Sequence, residues 1–170
     1  MRSYLIVDAY NIINSWTSLK ELSEHSMEDA REKLIEILAS YRAYKGMEII
    51  LVFDAHFVKG SREKEEMVNG IKVVFTREHQ TADSYIEKTV HALSKLHYVQ
   101  VATSDWAEQQ TVLSSGGVRM SARELEKEVE FAQKKMEDKY TNREERSHNI
   151  SKLIQPQVLK ALEQWRKRKD

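Results

Sequence analysis

The chain predicts an α/β domain of three layers, with a mostly parallel sheet held between helices. Three observations lead there. Short, β-branched apolar runs recur at Tyr4–Asp8, Glu48–Asp54, Ile71–Phe75 and Tyr98–Ala102, and runs of this kind read as strands buried on both faces. Helical apolar periodicity alternates with them, as crossovers between parallel strands require. Aspartates end or closely follow three of the runs, at the carboxyl edge where parallel sheets keep their binding sites.

Each element has a local reason. After the first strand comes a turn segment, and then Ser26-Met27-Glu28-Asp29 opens a helix in the manner of a capping box. Ala30, Leu34, Ile37, Leu38 and Tyr41 share one face of that helix, and Gly46 is a natural stop for it. Val58–Asn69 carries Lys59, Arg62, Glu63, Lys64, Glu65 and Glu66 and reads as an exposed, mobile loop before the Ile71–Phe75 strand. Thr81 can cap a helix on which Ile86, Val90 and Leu93 align. Beyond the Tyr98–Ala102 strand, Ser104 or Asp105 caps another helix, broken by Gly116-Gly117. A brief extended Val118–Met120 follows, and Ser121-Ala122-Arg123-Glu124 forms a second capping box before the stripe Leu125, Val129, Ala132, Met136. Thr141–Ser151 is polar and reads as a linker or a frayed helix end. Pro156 suits the first turn of a last helix bearing Val158, Leu159, Leu162 and Trp165. The expected organisation is one domain over residues 1–140, with 141–170 as a linker and a helix packing back on it.

Composition narrows the function. With 27 basic and 27 acidic side chains in 170 residues, no bulk positive field advertises nucleic-acid binding, so any basic surface is local. The absence of cysteine excludes disulfides, thiolate metal sites and a cysteine nucleophile. Before Asp8 the chain offers only Leu5-Ile6-Val7, too short for a signal segment or a membrane span; a cytoplasmic protein without a membrane partner is expected. No G-x-S-x-G, glycine-rich phosphate loop or H-E-x-x-H occurs. An aspartyl-phosphate phosphatase would place a second acid where Tyr10 stands, and a response-regulator receiver would want adjacent acids at Asp8.

What remains is the acidic set Asp8, Asp54, Asp83 and Asp105. Singly, each reads as a turn former or a helix cap. Capping accounts for Asp83 and Asp105 but poorly for Asp8 and Asp54, since no strong helix pattern starts directly after either. Carboxylates crowded together are costly to keep ionised unless a cation neutralises them, so a divalent-metal site, and hence an enzyme, is the leading reading. Asn11 can orient a carboxylate, a water or a phosphate oxygen, or simply serve a turn; Ser104 can hold a water or cap its helix. His56 and His79 flank possible site loops but read as solvated. Trp16, Trp106 and Trp165 are able to stack on bases, although packing is the more ordinary role for each.

The segments Asp8-Ala-Tyr-Asn11, Val52-Phe-Asp54-Ala-His56, Thr81-Ala-Asp83 and Ala102-Thr-Ser104-Asp105 resemble the NYN domain of the PIN-like nuclease superfamily. The closest likeness is to its YacP-like branch, which also shows Lys59-Gly60, Arg119–Leu125 and the Trp165-Arg-Lys-Arg168 end. The resemblance implies a Rossmann-like PIN sheet and a Mg²⁺ or Mn²⁺ site built on Asp8, Asp83 and Asp105, with Asp54 in an outer shell and Asn11 and Ser104 positioning water or phosphate. It implies an endoribonuclease that cuts messenger RNA in association with the translating ribosome, leaving a 5′-phosphate and a 3′-hydroxyl. Lys59, Arg62, Lys64, Arg119 and Arg123 are its candidates for touching RNA or the ribosome, with the basic tail Arg166–Lys169 beside them, and a monomer or weak dimer is expected. Two other readings stay open: a non-catalytic RNA- or ribosome-binding adaptor with the same fold, and a metal-dependent phosphatase for a small substrate.

Overall fold

The computed structural model describes residues 1–153 and 155–168, and Lys169 of the basic tail lies outside them. In chain order the elements are β1 (Ser3–Asp8), α1 (Ala9–Ser15), α2 (Thr17–His25), α3 (Met27–Lys45), β2 (Glu48–Phe53), β3 (Lys64–Val68), β4 (Ile71–Phe75), α4 (Ala82–Leu93), β5 (Tyr98–Ala102), α5 (Trp106–Ser114), β6 (Val118–Met120), α6 (Ala122–Leu153) and α7 (Pro156–Lys167). The chain divides into two compact units, residues 1–133 and 134–170.

The first unit is built on a six-stranded sheet ordered β3-β4-β2-β1-β5-β6. All neighbours run parallel except β3, which pairs antiparallel with β4. Pleating sends alternate side chains to opposite faces, and the two cores follow that alternation. Leu5, Val7, Leu51, Phe53 and Val73 meet Ile12, Trp16, Leu34, Leu38, Leu125 and Val129 from α1, α3, the start of α6 and the α1–α2 break. On the other face Ile6, Val52, Val74 and Val101 meet Ile86 and Val90 of α4 and Val112 of α5. Each fully buried Leu, Ile, Val or Phe side chain stabilises by about 1.5–3 kcal/mol, so the sheet is anchored on both sides.

The expected caps form. Ser26 Oγ accepts the Asp29 N–H at 3.2 Å. Ser121 and Glu124 exchange hydrogen bonds of 2.6 and 3.1 Å in a reciprocal box. Gly46 takes the left-handed conformation at φ 67° and closes α3.

Three segments differ from their sequence reading. The stretch after β1 holds two helices rather than a turn. Ala9, Ile12, Ile13, Trp16 and Leu19 form one buried stripe across both, but extended backbone at Trp16 divides it, and Trp16 Nε1 fastens the break to the Ala122 carbonyl at 2.8 Å. The charged loop Val58–Asn69 contains the strand β3, turned back onto β4 through Asn69 and Gly70, both with positive φ. Its Lys64, Glu65, Glu66 and Met67 are exposed, as suits an edge strand guarded by charge. In the second unit, the polar run Thr141–Ser151 lies within α6, where arginine and glutamate favour helix. There, α7 begins with Pro156 at its first turn and shows Val158, Leu159, Leu162 and Trp165 at its surface. Among the described residues no helix is long and apolar enough to cross a membrane.

Candidate active site

Asp8 is the last residue of β1, the strand between β2 and β5. Register sets Asp8 opposite Val52 and Val7 opposite Ala102, so the turns after β1, β2 and β5 emerge at one edge. A helix does start after Asp8, contrary to the sequence reading, and Asp8 takes its N-cap position. Its carboxylate nevertheless closes no capping hydrogen bond, the Asn11 N–H only easing its charge from nearby. The side chain is thereby left to the site.

Three carboxylates converge there. Oxygens of Asp8, Asp83 and Glu108 lie within 4.8 Å of one another, with Asp8 half-buried, Asp83 exposed and Glu108 buried. Asp83 is delivered by the first turn of α4, which Thr81 Oγ1 caps by accepting the Ser84 N–H at 3.1 Å. Glu108 comes from the first turn of α5 and is only 4% exposed. Its Oε2 accepts the Thr103 hydroxyl at 2.7 Å. Thr103 is itself fixed, its Oγ1 accepting the Asp105 N–H at 3.1 Å and its carbonyl accepting Gln109 Nε2 at 2.7 Å. The remaining Glu108 oxygen, Oε1, is buried, and no donor among the described residues reaches it; the Glu108 carboxyl group also meets that of Asp8.

Such crowding raises the acids. Burial, then the Asp8 charge, pushes Glu108 up to about 9. Burial, then the Asp83 charge, pushes Asp8 up to about 6 against the easing of its hydrogen-bond partners. Asp83 is raised by burial and by Asp105. Asp54 moves the other way: burial alone would raise it, but the N–H groups of His56 and Ala82 and the His56 ring outweigh that. Without a counter-charge, the cluster must hold a proton to keep its negative charge down.

A hard divalent cation fits this donor set. Mg²⁺ binds oxygen at about 2.0–2.1 Å, which sets the oxygens it shares at most about 4.2 Å apart, so a spacing of 4.8 Å needs only a small inward turn of side chains. The donors are all carboxylate oxygens, and Glu108 Oε1 is a buried acceptor awaiting a positive partner.

The other sequence-marked residues surround the three. Asp54 accepts the His56 N–H at 3.0 Å and the Ala82 N–H at 3.1 Å, and its carboxylate meets His56 Nδ1; it anchors the start of α4 and so the turn that carries Asp83. Asp105 caps α5, its Oδ1 accepting the Glu108 N–H at 3.1 Å. Neither belongs to the three-oxygen group, though the charge of Asp54 is felt at Asp8 and that of Asp105 at Asp83. Asn11 Oδ1 accepts the Ser104 N–H at 2.7 Å, tying the first turn of α1 to the β5–α5 turn. Ser104 Oγ lies 3.5 Å from the Ser15 hydroxyl. Lys59, Arg62, Lys64, Arg119 and Arg123 are all exposed, Lys64 at 3.7 Å from Glu66. His56 is half-buried on Asp54 rather than solvated, and of the three tryptophans only Trp16 is buried.

Glu108 is the member that sequence reasoning passed over. Its signal was present: it stands four residues before Val112 on the apolar face of α5, an unusual place for a glutamate unless it has a partner.

The sequence profile of the YacP-like NYN domain matches residues 5–167. The chain is 41% identical over 164 residues to the protein YacP of Bacillus subtilis (strain 168), spanning 96% of each chain. The crystal structure of Rae1 (YacP) from Bacillus subtilis is similar with a TM-score of 0.72 at 39% identity, over 96% of this chain and 94% of that one. A crystal structure of a tryptophan-to-leucine mutant of the same Bacillus protein aligns over 79% of each chain, with a TM-score of 0.68 at 41% identity.

Proposed function

The chain belongs to the family of YacP-like NYN domains, a nuclease-type family, and from that premise we propose that it is a divalent-metal-dependent endoribonuclease acting on messenger RNA at the ribosome. The observation that carries the reading is the convergence of Asp8, Asp83 and Glu108 with a buried, donorless Glu108 oxygen. Carboxylates so placed repel a phosphodiester by themselves. Mg²⁺ or Mn²⁺ held by these three would supply positive charge against the phosphate and make water acidic enough to attack it.

The rest of the chemistry is the work of the chain. Thr103 holds Glu108 in its rotamer, and Asp54 fixes the helix start that presents Asp83. Asn11 keeps the β5–α5 turn in register with Asp8. Asp105 adds negative charge at the rim beside Asp83, and Ser104 is exposed there to position water or a phosphate oxygen. Asp83 and Asp105 are open to solvent, which suits a polymer lying across an edge better than a small phosphate ester in a closed pocket. Lys59, Arg62, Lys64, Arg119 and Arg123 would hold the RNA backbone or ribosomal RNA. Hydrolysis is expected to leave a 5′-phosphate and a 3′-hydroxyl.

The test is incubation of purified protein with end-labelled RNA, in chelator and in Mn²⁺, alongside Asp8→Asn. Internal cleavage that needs Mn²⁺ and disappears in the variant supports the reading. RNA binding without cleavage under any metal would make the protein an adaptor instead.

A further inference from the structure

We propose that Phe57 and Trp106 are stacking platforms for unpaired bases on either side of the carboxylate edge, so that the preferred substrate is single-stranded RNA; this rests on the nuclease reading above. They are the two most exposed aromatic side chains among the described residues, Phe57 at 90% and Trp106 at 70%. Neither contributes to the sheet's two cores. Phe57 follows β2 and Trp106 opens α5 just after β5, while Asp8 ends β1 between those strands. The two aromatics therefore follow the strands that border β1 on either side, at the same edge of the sheet as Asp8.

Both are presented on fixed backbone. The Phe57 turn is pinned by hydrogen bonds from Val58 N–H to the Ala55 carbonyl at 3.0 Å and from His79 N–H to the His56 carbonyl at 3.0 Å. A third runs from Gly60 N–H to Glu78 Oε2 at 2.8 Å. The Phe57 ring lies 3.7 Å, centroid to centroid, from the His56 ring, and His56 in turn meets Asp54, so the contact runs back to the acidic edge. Trp106 is the first helical residue after the cap Asp105 and stands two before Glu108.

Charge leaves such platforms a task. The chain has no net charge, and its site is acidic, so attraction to phosphates is a weak source of affinity. Every base has a π-face, which makes stacking a sequence-tolerant grip suited to varied messages. Lys59 and Arg62 sit within five residues of Phe57, an interleaving of aromatic and basic residues that fits a strand with its bases splayed out. In a duplex those faces are already covered.

The test is fluorescence anisotropy in chelator and low salt, which reads binding with no cleavage. The probes are a labelled unstructured oligoribonucleotide, an abasic strand of equal length, and the same sequence annealed to its complement. Wild type is expected to favour the base-bearing single strand over both others. Phe57→Ala and Trp106→Ala are each expected to weaken that binding by about tenfold, the scale of base–aromatic stacking. They should leave abasic binding and melting temperature unchanged, and Phe57→Tyr and Trp106→Phe should retain affinity. Alanine variants that bind like wild type, or that lose abasic binding equally, overturn the proposal. If those variants bind normally while wild type cleaves RNA in Mn²⁺, stacking fails and the nuclease stands. If stacking holds and no metal supports cleavage, the nuclease fails and base binding stands. A wild type that binds the base-bearing strand no better than the abasic one overturns the stacking, whatever its cleavage in Mn²⁺.

Discussion

Glu108 and Asp8 bind protons more tightly in the folded chain than an unfolded one would, because burial and mutual repulsion raise them to about 9 and about 6. An acid raised on folding stabilises fully below its unfolded value, and that contribution is lost as pH rises through the folded one. In chelator the melting temperature is therefore expected to fall between about pH 5 and about pH 9, and Glu108→Gln should remove most of that slope. Calorimetry checks both. In metal-free buffer at neutral pH, Glu108→Gln and Asp8→Asn should melt at or above wild type, with Mn²⁺ raising wild type more than either variant. Lower melting in chelator would mark these acids as structural. Thr103 acts one step back, since its hydroxyl serves both Glu108 and the Asp105 N–H. Thr103→Val is expected to weaken Mn²⁺ affinity by roughly 10–100-fold, measured by calorimetric titration; unchanged affinity would show that Glu108 needs no such support.

At the scale of elements, α4 and α5 carry Asp83 and Glu108, and Gly117 governs how closely those helices approach. A Cβ there would stand 2.9 Å from Cγ1 of both Val90 and Val112, which are buried and β-branched and have little room to yield. Gly117→Ala is expected to cost about 1–3 kcal/mol as overpacking, seen as a lower denaturant midpoint, and to weaken Mn²⁺ binding by spreading the two acids. Loss of stability with full metal affinity would show that the helices move together. Which elements were legible follows from similar particulars. Four of the five parallel strands, β1, β2, β4 and β5, announce themselves because burial on both faces makes them largely apolar runs, and Ser26, Thr81 and Ser121 mark helix starts by chemistry alone. The strand β3 hides its apolar signal because its exposed edge is Lys-Glu-Glu, although Asn69-Gly70 is a recognised hairpin turn. The helices α1 and α2 hide because Trp16 splits a single stripe into two short pieces.

At the scale of the whole molecule, neutrality shapes what the protein can reach. With no long-range field to gather free RNA, efficient cutting is expected to need another surface to deliver the message, the ribosome in the reading above. Reversing Lys59, Arg62 and Lys64 to glutamate should weaken ribosome co-sedimentation, and salt should weaken it in wild type, with Mn²⁺ binding intact; sedimentation indifferent to both would remove the ribosome from the account. The site was legible to the same extent as the sheet. Asp8 and Asp83 could be paired from sequence because Asp8 ends a parallel strand and Asp83 opens a helix at the same sheet edge, whereas Glu108, in the first turn of α5, shows itself only by its place on the apolar face of that helix. Glu108 is accordingly the place to test the proposed metal centre most directly. The measurement is single-turnover cleavage of a labelled, unstructured RNA by wild type and Glu108→Gln across a Mn²⁺ titration. The result expected is no cleavage in chelator, a saturable rise with metal in wild type, and a midpoint at least about tenfold higher with a slower limiting rate in the variant. Equal cleavage by the two proteins, or cleavage by wild type that survives the chelator, would contradict it.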